Sequence, residues 1–400
     1  MIARLKRVSR VAANRIVYAA LLLAVTVFSI TSGERMAYIS AVVLLVLPVV
    51  SFVINFVMLR MLVVTQNVPD SILKTEEGVL RVRLHNRTPL PFINVECRFV
   101  TNEYAVKIDK SQSSGINPIA TVVHELPFLA VFRGKYPLGL EEIWAFDFMG
   151  LFRLKRKYNI PGEIVILPQI VEFTGIPFSI NIMSEASSRF DHRDEDYSMI
   201  SDIRPYIPTD SIKRVHWKLT AKRNEWLVKV FQSNALNCVT VILDSLAVSA
   251  KEEEKYFLED KIAETALGLA RYCLKKAMPV DFIDTGGSKT RAVTLPQFDA
   301  IYHATAQLQF DKQPPLNPAA ILTGMLNDSA SYINAIIFTS KLDVALYERV
   351  VNAMDKGHFA AVVYFATKKP IREYERIYHL MADSGLPCFR MTEEVSLDVA

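Results

Sequence analysis

The sequence predicts an α/β protein in three parts: an N-terminal two-helix transmembrane hairpin, a small antiparallel β-sandwich, and a doubly wound domain. Three observations lead there. Two long uncharged runs open the 400-residue chain, a series of short strands with alternating apolar residues follows, and beyond Leu236 apolar strands alternate with amphipathic helices. The expected division is 1–62 for a cytoplasmic basic N-terminus and the hairpin, and 63–170 for the membrane-proximal sandwich. A linker and motif-bearing segment covers 171–235, and the α/β domain covers 236–400. A chain of this length exceeds one ordinary core.

The hairpin rests on Ile16 to Ser32, apolar or hydroxylated throughout, and Met36 to Leu59, which carries no charge. Each run is about the length that a hydrocarbon core of roughly 30 Å demands, and Pro48 is tolerable where neighbouring helices re-satisfy freed backbone groups. Arg4, Lys6, Arg7, Arg10 and Arg15 precede the first run, whereas the connecting turn holds only Glu34 and Arg35. Cations resist translocation, so the N-terminus and everything after Leu62 are expected on the cytoplasmic side of a multi-pass cell-membrane protein. No small-x-small cleavage site precedes a polar start, which argues against a signal peptide.

From about Val68 to Pro168, alternating segments such as Val79–Leu84, Asn94–Phe99, Ala120–Leu126 and Ile164–Leu167 are separated by turn residues, the pattern of a small sandwich. As a binding module or as a spacer it would look the same. Ser184 to Asp196 is polar without apolar period and reads as a linker or loop. Strands are expected at Cys238–Asp244, Val280–Ile283, Ala292–Leu295, Ile333–Phe338, Ala360–Phe365 and Cys388–Met391, with helices at Glu252–Lys276, near Gln297–Leu308, and at Leu342–Met354. A last helix is expected before Cys388. Such alternation argues for a mostly parallel sheet covered on both faces.

Cys97, Cys238, Cys273 and Cys388 form no CxxC pair and the seven histidines no HExxH, so neither a zinc site nor a disulfide framework is indicated. The net charge of +4 is accounted for by the basic N-terminus, which leaves no global mark of a nucleic-acid binder. Gly286-Gly287-Ser288-Lys289-Thr290 lacks the spacing of a phosphate loop and reads as a glycine turn between strands. There is no GxSxG elbow and no SxxK, so no catalytic residue and no cofactor are assigned.

The most distinctive stretch, Arg204 to Phe231, reads RPYIPTDSIKRVHWKLTAKRNEWLVKVF. Its Arg204, Tyr206, Asp210, Arg214, Trp217, Arg223, Lys229 and Phe231 resemble the signature of the family called domain of unknown function 58, with Thr209 where that family has glycine. Upstream, Arg133-Gly134-Lys135-Tyr136-Pro137-Leu138-Gly139 and Asp147-Phe148-Met149-Gly150-Leu151-Phe152 resemble two further family segments. The block Lys213–Phe231 interleaves cations with aromatics, as nucleic-acid surfaces do. Structural bracing, with Trp217 and Trp226 anchored on the sheet and Asp202 or Asp210 paired to arginines, or a protein-docking surface, accounts for the same residues.

Asp244 ends the first strand of the α/β domain, where ligands collect in such sheets. Its setting resembles the start of the metal-dependent motif of von Willebrand A-like domains, but Leu246 and Val248 stand where that motif has hydroxyls. Neither binds a hard cation. The candidate is therefore degenerate, with Asp244 supported only by Ser245, Thr339 or Asp343, and a divalent cation is not the expectation.

Taken with the hairpin, the resemblance implies a membrane-anchored, non-catalytic adaptor or assembly factor whose von Willebrand A-like domain binds protein, working with a MoxR-type AAA-plus ATPase. Bilayer lipid is the partner of the hairpin, and no nucleic acid is expected. Two alternatives stand beside it: a hydrolase or transferase with its site near Asp244, and a membrane protein that binds nucleic acid through residues 213–231.

Overall fold

The computed structural model describes residues 2–158, 162–173, 195–207, 215–223, 225–233, 238–328 and 332–391. The chain is of mixed α/β class and divides into two compact units, Met1–Leu167 and Pro168–Ala400.

The first unit begins with two helices, α1 (Ile2–Ser32) and α2 (Arg35–Met61), each long and apolar enough to cross a bilayer. Gly33, at φ +65°, makes the tight reversal between them. Ten strands follow: β1 (Val63–Asn67), β2 (Ser71–Leu73), β3 (Glu77–His85), β4 (Phe92–Val100), β5 (Val106–Ile108), β6 (Ser111–Ile116), β7 (Thr121–Ala130), β8 (Gly134–Phe146), β9 (Arg153–Lys157) and β10 (Gly162–Leu167). They form a sheet of order β1-β3-β7-β5 and another of order β2-β10-β8-β4-β6, with β9 also paired to β8. All pairings are antiparallel except β2 with β10. Period-two patterning decides what is inside: Leu80, Val82 and Leu84 on β3 are fully buried while Arg81 and Arg83 between them face water. Leu126 and Phe128 of β7 and Val95, Cys97, Ile143 and Ala145 of β4 and β8 are buried as well.

The second apolar run is more than a span. One side of its helix is covered by the strands: Ser51, Asn55, Met58 and Leu59 are buried. The Ser51 hydroxyl donates to Asp147 Oδ2 at 2.6 Å, and the Asn55 amide donates to the Ala145 carbonyl at 3.4 Å. Arg156 of β9 donates through Nη1 to the carbonyls of Leu59, Arg60 and Leu62, which the end of a helix otherwise leaves unsatisfied. Asp147 also accepts from the Phe152 backbone amide at 2.7 Å through Oδ1, closing the loop Asp147–Phe152. Within that loop Gly150 sits at φ +66°, a backbone conformation that favours glycine.

In the second unit, β11 (Glu195–Pro205) and β12 (Leu227–Ser233) pair as an antiparallel ribbon. Residues 184–194 of the expected linker lie outside the described residues, and Glu195 and Asp196 already belong to β11. A six-stranded sheet follows, built from β13 (Val239–Leu243), β14 (Val280–Asp284), β15 (Lys289–Ala292), β16 (Asn334–Thr339), β17 (Phe359–Phe365) and β18 (Cys388–Met391). Its order is β15-β14-β13-β16-β17-β18. Every pair is parallel except the β14–β15 hairpin. Both faces are covered, which is why β13, β16 and β17 are buried at every position. Helices Glu252–Lys275 and Phe298–Gln307 pack on the face carrying Val241, Leu243 and Phe338. Helices Pro318–Asp328, Val344–Asp355 and Arg372–Asp383 pack on the face carrying Ile242, Ile337 and Val362.

The structure departs from the expected elements in two places. The strand expected at Ala292–Leu295 runs instead from Lys289 to Ala292, because Thr294 and Gln297 form a capping box that turns the chain into a 3-10 helix at Leu295–Gln297. The helix Pro318–Asp328 was not expected at all; Asn317 caps it, accepting from the Ala320 amide at 2.6 Å, with Pro318 in the first turn. The glycine turn is as read: Gly286 and Gly287, the latter at φ +96°, close the β14–β15 hairpin.

Burial holds the imidazoles of His124 and His358 below their ordinary titration range. The unfolded chain therefore binds more protons than the folded one as pH drops below about 6.5, and stability falls with it. Urea unfolding of the wild-type chain and His124→Gln at pH 5 and pH 7 is expected to show a smaller acid-side loss in the variant; equal losses would contradict the burial of a neutral imidazole.

Candidate functional site

Strand order reverses between β13 and β16, so the crevice beyond their carboxyl ends is where an open sheet of this kind presents a site. Three of the four sequence candidates meet there. Asp244, immediately after β13, is 4% exposed. Its Oδ2 accepts from the Thr339 hydroxyl at 2.6 Å, and its Oδ1 from the Leu246 amide at 3.1 Å and the Thr285 hydroxyl at 3.4 Å. Ser245 joins the cluster through Thr285: its amide donates to Thr285 Oγ1, and the two hydroxyls lie 2.8 Å apart. Thr285, following β14, has no local sequence signal; only the register that sets Leu243 beside Asp284 brings it here.

Asp343 does not join them. It caps the helix Val344–Asp355, accepting from the Leu346 amide at 2.8 Å, and its other oxygen lies 3.6 Å from Lys341 Nζ. Among the described residues no group of three His, Cys, Asp or Glu side chains converges on a common point. Burial drives the Asp244 carboxyl above its usual range, against the opposing pull of its hydrogen bonds to Thr339, Leu246 and Thr285 and of the Lys341 charge. The adjoining cleft, bounded by Leu246, Val248, Lys341, Tyr364 and Tyr374, holds about 20 Å³. That is room for one water molecule. The arrangement binds β13 to β14 and β16, and the Asp244 carboxyl accepts from three donors across its two oxygens.

The signature segment builds a different surface. The chain leaves β11 at Pro205, and the short helix Trp217–Arg223 returns it to β12, with Tyr206 N donating to Trp226 O and His216 N to Leu227 O, both at 2.8 Å. Val215, Leu227 and Val228 are buried and carry the ribbon. Trp217 and Trp226 do not: they are 58% and 54% exposed, contrary to the expectation that both are anchored on the sheet. They pack instead on each other, edge-to-face at 5.9 Å, and Trp226 on Tyr206 at 5.8 Å. Lys218, Lys222 and Arg223 are exposed on the same helix, Lys229 is half-buried on β12, and Arg204 donates to the Pro205 carbonyl. Asp210 and Arg214 lie outside the described residues, as do the side chains of Asp202 and Phe231, and with them the expected arginine–carboxylate bracing.

The four thiols are poor nucleophiles. Burial pushes Cys97, Cys273 and Cys388 up to about 12 and Cys238 to about 11.

No family model and no curated protein matches the chain. Among solved structures, similarity extends to the CARDB domain of a Pyrococcus furiosus protein in complex with di-metal ions, at 15% identity and TM-score 0.20, covering 26% of this chain and 87% of that one. A cohesin module from a Clostridium perfringens family 33 glycoside hydrolase is similar at 12% identity and TM-score 0.20, over 26% and 96% of the two chains. A mutant of Salmonella alpha-2-macroglobulin is similar at 12% identity and TM-score 0.20, over 26% of this chain and 7% of that one. Similarity at this level carries no functional assignment to the present chain.

Replacing Asp244 separates its roles. Asp244→Ala leaves the Leu246 amide and two buried hydroxyls without their acceptor and is expected to cost about 1–3 kcal/mol. Asp244→Asn keeps an acceptor for Leu246 and is expected to cost less. The folded state holds the extra proton on Asp244, so this residue's contribution to stability declines as pH rises above the ordinary aspartate range, and the asparagine variant loses that decline. Denaturant titrations across pH 4–8 check both; an alanine variant as stable as wild type would remove the bracket.

Proposed function

We propose that the chain is a membrane-anchored, non-catalytic protein-binding adaptor or assembly factor of the domain of unknown function 58 type, working with a MoxR-type AAA-plus ATPase. In this proposal its doubly wound sheet is von Willebrand A-like, and the head uses surface rather than chemistry. The observation that carries the reading is the exposed Trp217–Trp226–Tyr206 cluster with Lys218, Lys222 and Arg223 around it. Paired aromatics with basic neighbours are what the energetic centre of a protein interface is made of. The saturated hydrogen bonding of Asp244 supports the same view, because a carboxylate already held by three donors has little left for a substrate or ion.

The two apolar helices support membrane association. Multi-pass topology with the N-terminus and both soluble parts in the cytoplasm is proposed from the five cations before the first apolar run.

Co-purification from detergent-solubilised membranes tests the reading. The wild-type chain is expected to retain a MoxR-type ATPase, identified by mass spectrometry. Trp217→Ala with Trp226→Ala is expected to weaken that association by about 2 kcal/mol or more, roughly 30-fold, with thermal stability kept because both rings are more than half exposed. Absence of the ATPase from the wild-type preparation, or undiminished capture by the double variant, speaks against the proposal.

A further inference from the structure

We infer that the Asp147–Phe152 loop is a membrane-inserted wedge: the strand-rich part of the first unit places Phe148 in the headgroup and acyl boundary of the leaflet beside the hairpin. The inference rests on the proposed transmembrane reading of α1 and α2 and extends it to a surface outside the hairpin.

The height of the loop along α2 carries the argument. Asp147 is bonded to Ser51, and the Phe152 ring packs edge-to-face on Phe52 at 5.4 Å, so the loop lies level with residues 51–52. From α1 the same level is marked by Arg15, whose Nε donates to the Leu151 carbonyl at 2.8 Å, and by Asn14, whose amide reaches the Gly150 carbonyl. Yet α2 stays apolar and uncovered on its other side well past this level: Val53, Phe56 and Val57 are all exposed. That uncovered stripe runs to Val57, just short of Arg60, whose guanidinium stacks on Phe56 at 5.1 Å. From Met36 to Val57 the helix rises about 32 Å, close to the thickness of a hydrocarbon core. The loop therefore sits about 8 Å inside the end of the lipid-facing stripe, the depth that interfacial apolar elements reach.

The chemistry of the loop suits that place. Phe148, in this loop, is 53% exposed. By contrast, the polar groups at this level are paired within the protein: Asp147 with Ser51 and the Phe152 amide, Arg15 with Leu151, Asn55 with Ala145. In water such pairing is optional, whereas a lipid environment requires it. Anionic headgroups would also find the cations of the first helix, Arg4, Lys6, Arg7, Arg10 and Arg15, in a stretch that contains no acid.

The test uses the full-length chain with its four native cysteines replaced, reconstituted in vesicles of phosphatidylethanolamine and phosphatidylglycerol. A nitroxide is attached in turn at Phe148→Cys, Val43→Cys on the exposed face of α2, and Ile119→Cys on an exposed loop of the strand-rich part. Relaxation by oxygen and by a water-soluble nickel chelate is then compared. Labels at 148 and 43 are expected to be relaxed more by oxygen than by the chelate, and the label at 119 more by the chelate. A label at 148 that behaves like that at 119, with 43 still in lipid, overturns the wedge while leaving the hairpin standing, and makes Phe148 a water-facing site open to protein. Labels at 43 and 148 both open to the chelate overturn the transmembrane reading and the wedge with it.

Discussion

The buried carboxylate of Asp147 is the constraint on which the first unit depends. With one oxygen it closes its own loop through the Phe152 amide, and with the other it holds Ser51, 96 residues away on α2. A long apolar helix has no preferred rotation against a neighbouring sheet, because dispersion contacts are non-directional. Hydrogen bonds are directional, and three sets of them, at Ser51, at Asn55 and at the helix end through Arg156, set which face of α2 meets the strands. Which face of the helix is left uncovered follows from that rotation.

A similar device recurs in the second unit with a different task. Asp244 ties the ends of β13, β14 and β16 through two threonine hydroxyls and an amide. In an open parallel sheet the switch in strand order leaves a gap between diverging loops, and here the hydrogen bonds of Asp244 span that gap. Burial makes the ionised form expensive, while the three donors favour it. The two terms oppose each other, so the carboxyl is retained for geometry more than for charge.

The architecture was legible where one periodic signal dominated. Uncharged runs marked both helices of the hairpin, and continuous apolar runs marked β13, β16 and β17, because strands covered on both faces need no alternation. What the sequence concealed depends on distant partners or on caps. Ser51 and Asn55 carry no signal within the uncharged run, since their partners lie on β8 and in the loop after it. Thr285 reads as a loop residue until strand register sets it beside Asp244. Asn317-Pro318 carries a helix-start signal that the preceding Pro314-Pro315 obscures. Trp217 and Trp226 depart from expectation for another reason: large aromatics are usually inside, and here both are more than half exposed.

The account thus treats the hairpin and the strands that follow it as one body, clasped through the Asp147 carboxylate. A double-mutant cycle with Ser51→Ala and Asp147→Asn, read by thermal unfolding of the full-length chain in detergent, measures that clasp directly. The account predicts a coupling energy of about 0.5–3 kcal/mol between the two positions. Strictly additive losses would contradict it, by showing that α2 and the loop are held independently.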